Sequence, residues 1–212
     1  MGQKINPHVL RLGPLYDWNS RWFDERTYKR TMLEDHALRK KLLEKLKMAG
    51  VASIDIERSI NSIKIIAHVS RPGMVIGRAG TGLEDLKKFL VSLLPKKKNM
   101  PKIDIQVEQV KEPNLDAFLV AKNVADQLEK RLPFKRILIQ NVDRVMTAGA
   151  RGVKIALAGR IAGAEIGRKE KLQKGTVPLS TIREHITFAS VPALTKKGYI
   201  GIKVWINGPR EK

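Results

Sequence analysis

A chain of 212 residues with 41 Lys and Arg against 21 Asp and Glu carries a net charge of +20, an excess that repels itself unless a polyanion neutralises it. It has no cysteine, which excludes disulfides and thiolate-ligated zinc or iron–sulfur sites. No apolar run reaches the roughly 18 residues of a membrane span. The start MGQKINPHVLRLG lacks a signal-peptide core, and the Ser or Thr of a myristoylation signal is missing after Gly2. No membrane contact is expected, and nucleic acid is the expected partner. Basic residues lie in every segment rather than in one tail, as in a protein embedded against nucleic acid on several sides.

Residues 1–23 read as an extended arm. They show no periodicity, contain Gly2, Pro7, Gly13 and Pro14, and end in the cluster Trp18, Trp22, Phe23, which is expected to pin the arm onto the following domain. Lys4 and Arg11 are the arm's candidates for RNA contact. From about 26 to 49, Leu38, Leu42, Leu43, Leu46 and Ala49 recur at helical steps, with Gly50 as C-cap. Two strands follow, around Ile54–Ile56 and Ile63–Val69, joined at Asn61-Ser62. A helix from about 80 to 94 carries Leu83, Leu86, Leu90 and Leu93, and Ile103, Ile105 and Val107 make a third strand. Glu112-Pro113-Asn114 reads as a boundary, with Asn114 as a helix cap. Phe118, Ala121, Ala125, Leu128 and Leu132 mark one further helix, and Pro133 opens another running to about 147. After Gly149 strands are expected at Val153–Leu157, about 183–190, and Tyr199–Ile206. The fold class is α+β in two domains, 24–111 and 112–208, with a short tail at 209–212. The second domain pairs two helices with a mainly antiparallel sheet.

The segment Gly77-Arg78-Ala79-Gly80 is a G-x-x-G. Alone it is a weak signal, but it follows two strands and a short apolar turn, opens a helix and precedes a third strand. That order resembles a type II KH domain, in which the two glycines let the backbone approach phosphates and the loop clamps about four nucleotides. Free N–H groups near Gly80 favour an anion, Arg78 adds a positive charge at the tip, and Val75 and Ile76 are expected where a base could rest. Other motifs fail. Asp85 stands where the third glycine of a dinucleotide fingerprint belongs, and no G-x-x-x-x-G-K-[ST] occurs. His8, His36, His68 and His185 lack metal-ligand spacing. Glu84-Asp85 point apart on a helix, and Asp143 and Glu165 have no evident partners, so a nuclease or lyase finds no clustered carboxylates. No catalysis, cofactor or metal is expected.

Across nearly its whole length the chain resembles small-subunit ribosomal protein three of the bacterial or organellar type. The matching stretches are MGQKINPHVLRLG followed by WNSRWF, RPGMVIGRAG, and in the second domain GARGVKIALAGRIAGAEIGR, GTVPLSTIREHI and GYIGIKVWI. The resemblance implies binding to 16S-type rRNA in the head of the small subunit, in a cytoplasmic or organellar ribosome. Its neighbours would be small-subunit proteins ten and fourteen, with proteins four and five beside it at the mRNA entry. It further implies that a basic cluster at the start of the second helix of the C-terminal domain faces incoming mRNA and helps separate duplexes, and Phe134-Lys135-Arg136 falls on that cluster. At 100° per residue Phe134, Leu138 and Val145 share the buried face, Arg136 points nearly opposite, and Lys135 lies on a flank. Ile139 occupies the exposed arc where family members often carry a third cation, a departure that makes the site weaker here or shifts part of its work to Arg144 or to neighbouring proteins. The Lys96–Lys102 loop is longer and more basic than in typical bacterial members, and the C-terminal extension of some members is missing. The alternative reading is a free-standing KH factor in RNA processing or decay.

Overall fold

The computed structural model describes residues 4–93 and 102–209. Most of the Lys96–Lys102 loop and the last three residues lie outside these. The chain divides into two compact units, Trp18–Lys111 and a second made of Glu112 onward together with the arm up to Asp17.

The first unit runs β1 (Ser20–Arg21), α1 (Tyr28–Lys45), β2 (Val51–Arg58), β3 (Ser62–Val69), α2 (Pro72–Ile76), α3 (Thr81–Leu93) and β4 (Lys102–Gln109). The sheet order is β1-β2-β3-β4. Strands β2 and β3 are antiparallel with Ile54 opposite Ala67, and β3 and β4 are parallel with Ile63 opposite Ile103. Period-2 alternation sends Ile54, Ile56, Ile63 and Ile65 to one face, where Leu38 and Leu42 of α1 and Leu86 and Leu90 of α3 close over them. The helix expected to reach 49 is α1 followed by a 3-10 turn, ended by Gly50 in the left-handed region at φ 67°.

The aromatic cluster does not act as a block. Trp22 Nε1 donates to buried Asp35 at 2.8 Å, as do Ser20 Oγ at 3.0 Å and Arg58 Nε at 2.7 Å. The Trp22 ring also lies 5.3 Å from Tyr28. Trp18 and Phe23 are exposed.

The second unit comprises α4 (Ala117–Glu129), α5 (Phe134–Thr147), β5 (Gly152–Gly159), β6 (Arg168–Gly175), β7 (Ile186–Thr195) and β8 (Gly198–Asn207). Its sheet is antiparallel throughout, in the order β6-β5-β8-β7. Val124, Leu128, Leu138, Val142 and Val145 of the helices pack on Val153, Ile155, Leu157, Ile202 and Val204. Strand β6 was not expected from the sequence. Its residues RKEKLQKG contain one apolar side chain, Leu172, because an edge strand needs only one anchor and its lysines guard against pairing with another chain. The strand expected at 183–190 starts later and extends through Pro192, which the other edge of the sheet tolerates. Asp116, not Asn114, caps α4 by accepting from Leu119 N at 2.8 Å. Pro133 is the residue before α5 rather than its first.

Residues 4–17 belong to this second unit, so the expected pinning onto the KH domain holds only for the end of the arm from Trp18, anchored there through Trp22. Arg11 is wholly buried. Its Nε donates to Glu184 O at 2.8 Å and its Nη1 to Pro7 O at 3.0 Å. Its Nη2 reaches Thr181 O, Leu179 O and Pro178 O at 2.8, 3.2 and 3.4 Å. Each of the three guanidinium nitrogens thus donates to backbone carbonyls, five carbonyls in all, and Arg11 is a structural staple rather than an RNA contact. His8 stacks on Tyr16 at 4.0 Å, and Tyr16 Oη lies 3.4 Å from His185 Nδ1.

Candidate nucleic-acid interface

In the first unit, α2 and α3 meet at the G-x-x-G. Gly77 and Gly80 have φ of 70° and 80°, conformations that any side chain bearing Cβ adopts at a cost. A Cβ on Gly80 would meet nothing within 4 Å, so this side of the loop is open to an incoming phosphate. A Cβ on Gly82 would lie 2.5 Å from Val75 O, so this third glycine, which the motif does not include, allows α3 to start against α2. Arg78 is exposed at the tip, and Thr81 Oγ1 donates to Arg78 O at 2.9 Å, holding the turn. Ala79 lies in the same 3-10 turn. Val75, expected near a base, is buried in the core instead, which leaves Ile76 and Met74 as the exposed apolar surface beside the loop. Glu84 stands in the first turn of α3, where a negative charge opposes anion binding.

In the second unit, Lys135, Arg136, Ile139 and Arg144 are exposed on α5, while Ile137, Leu138, Asn141, Val142 and Val145 are buried and Phe134 is half-buried. The side chains of Lys135 and Arg136 form no ion pair among the described residues. Arg144 differs. It sits about 13 Å further along the axis and shares a shallow depression with the carboxylates of Glu112 and Asp143. Asp143 is paired with Lys174 at 2.9 Å, a partner that the sequence did not suggest. The sequence also missed Arg168, whose guanidinium lies 5.8 Å from the Phe134 ring at the start of α5. No periodicity could have signalled it, since β6 is nearly all charge.

Lys4 is exposed. Its charge acts on Lys154, whose pKa is lowered by partial burial first and then by Lys4 and Lys171. Lys154 pairs across strands with Trp205, and Ala156 with both Lys171 and Lys203, so these lysines share the sheet face that the helices leave uncovered. Lys154 Nζ lies 5.4 Å from the Trp205 ring, itself 5.3 Å from Phe188. Cations that destabilise one another here would be relieved by an anion.

His68 lies between Asp55 and Glu108 at 3.7 and 3.5 Å on neighbouring strands. Among the described residues, no cluster of three or more His, Asp or Glu is placed to hold a metal, and no helix is long and apolar enough to cross a membrane.

A helix–strand–strand–helix–G-x-x-G–helix–strand unit with an exposed cation at the loop tip defines a type II KH protein, a class that binds RNA. The KH domain model matches residues 37–115, and the model of ribosomal protein S3, C-terminal domain, matches residues 124–206. A small ribosomal subunit protein uS3 of Lactobacillus helveticus is 45% identical over 207 residues, covering 98% of this chain and 90% of the relative. Those of Clostridium acetobutylicum and Hydrogenovibrio crunogenus are 44% and 45% identical, each over 97% of this chain and over 91% and 89% of their own lengths. The chain belongs to the ribosomal protein S3 family.

Proposed function

We propose that this chain is a non-enzymatic structural constituent of the small ribosomal subunit, which binds 16S-type rRNA in the head and lines the mRNA entry, where it assists unwinding. The observation that carries this reading is membership of the family along almost the whole chain, both units included. A free-standing KH factor would need only the first unit. The net charge of +20 supplies the many phosphate contacts that such a seat requires. In this reading the G-x-x-G loop, Gly77 to Gly80, and Lys4 contact RNA, and Lys135 and Arg136 face the message, with a lesser part for Arg144. Proteins four and five stand beside that face, proteins ten and fourteen are the head neighbours, and the ribosome is a cytoplasmic or organellar one.

The test is a sucrose gradient of a lysate from cells expressing the tagged chain. Stoichiometric co-migration with small subunits is expected. Recovery at the top of the gradient, bound to short RNAs, would favour the free-standing factor instead.

A further inference from the structure

A cleft of about 550 Å³ opens in the second unit where three separate segments meet: the turn Arg131–Phe134, Arg160 with Ala162 and Gly163, and the β7–β8 hairpin with Thr195–Lys197 and Ile200. Its volume lies within the range of small-ligand sites, about 300–1,000 Å³. Leu132, Pro133, Phe134 and Ile200 give it an apolar lining, and Arg131, Arg160, Lys196 and Lys197 line it with charge. No carboxylate lines it. None of the four cations forms an ion pair among the described residues. Arg160 Nε is held by Ala164 O at 2.9 Å, which fixes the guanidinium while its outer nitrogens make no hydrogen bond within the described residues. The stem of Lys197 lies over Gly163, since a Cβ there would meet its Cγ at 3.6 Å. Arg131 and Ala162, with φ of 60° and 57°, are the non-glycine residues of positive φ among those described, and both line this cleft. Backbone strain of that kind concentrates at functional sites.

We propose that this cleft binds one nucleotide of single-stranded RNA, its base resting on Leu132 and Pro133 and its phosphates met by Arg131, Arg160, Lys196 and Lys197. An apolar floor ringed by unpaired cations suits a nucleotide, which presents a flat, weakly polar ring and an anion on one unit. The position also suits it, because Pro133 and Phe134 line the cleft and Lys135 and Arg136 follow directly in the chain. The identification of the RNA as message rests on the entry role proposed above, whereas the binding itself does not.

The experiment uses the full chain, free and in small subunits, with a ten-nucleotide oligouridylate carrying 4-thiouridine. Crosslinks should map to 131–134 or 195–200. Lys196→Ala with Lys197→Ala should remove them and weaken binding about tenfold, with a salt slope shallower by about 1.4, two phosphates at about 0.7 each. Arg160→Gln serves as a second variant should the hairpin change disturb folding. Crosslinks elsewhere only, or undiminished affinity in both variants, would overturn the cleft while leaving the entry role intact. Cleft crosslinks together with normal translation of structured messages by Lys135→Ala, Arg136→Ala subunits would sustain the cleft and sink the entry role. An oligoglutamate displacing the RNA at equal or lower concentration would overturn it in favour of an acidic protein partner.

Discussion

Arg11 and the pair Lys135–Arg136 look alike in the sequence: basic residues, each near a proline, in a chain of net charge +20. In the structure they are opposites. Arg11 faces inward and its donors meet backbone carbonyls, whereas Lys135 and Arg136 face outward and their side chains meet no carboxylate among the described residues. Net charge announces a polyanionic partner but does not say which cations touch it. Long-range hydrogen bonding decides that, and it is set by residues far away in the chain.

The contrast can be broken most forcefully at Arg11. Arg11→Ala strands five carbonyls, two of them in buried contacts, and should cost the second unit about 3 kcal/mol, read as a lower urea midpoint. Deleting residues 2–13 should do the same. Arg11→Lys should rescue little, since three donors cannot serve five acceptors. An unchanged midpoint would make the arm an appendage after all. Next in size, Lys135→Ala with Arg136→Ala should leave that midpoint unmoved and slow translation through an mRNA hairpin several-fold, because exposed cations act on phosphate rather than on the fold. Ile139→Lys should speed it, and equal elongation rates for all three proteins would remove the helix face from the unwinding role.

A smaller effect belongs to the G-x-x-G. Arg78→Asp with Ala79→Asp should weaken binding of short single-stranded RNA by about tenfold through lost and reversed phosphate contact, with no change in melting temperature. Unchanged affinity would mean the loop is not a contact surface. The smallest effect is one of pH. Burial first, then the charges of His185 and Arg11, lower the His8 pKa below its ordinary 6.5. Above 6.5 His8 is neutral whether the arm is docked or detached, so docking is at full strength. As pH falls below 6.5 the detached arm takes up a proton that the docked arm resists, and docking weakens until the docked pKa is reached. Stability of the second unit should therefore decline from pH 7.5 to 5.5, and His8→Phe, which keeps the stacked ring, should flatten that decline.

Much of the fold was legible because local patterns carried it. Leucines at helical steps placed α1 and α3, alternating isoleucines placed β2 and β3, and the order of elements around Gly77 and Gly80 gave the KH topology. The exposed arc of α5 followed from 100° per residue. What was not legible depended on distance in the chain or on absent pattern. Strand β6 has a single apolar residue, and its place comes from pairing Leu172 with Ile155. Arg11 meets a carbonyl 173 residues away. Val75 looked available to a base until α3 folded over it. The cleft beside Arg131 draws on three segments, none of which signals it alone.

The stapled arm also sets a schedule for synthesis. Residues 4–17 are made well before the hydrogen-bond partners of Arg11, Pro178 to Glu184, which follow 167 to 173 residues later. At about 5–20 residues per second that is a wait of roughly 8–35 s, during which the whole first unit, an unbroken stretch from Trp18 to Lys111, is free to fold. The arm is thus among the last parts of the second unit to find its place, although it is made before the rest of that unit.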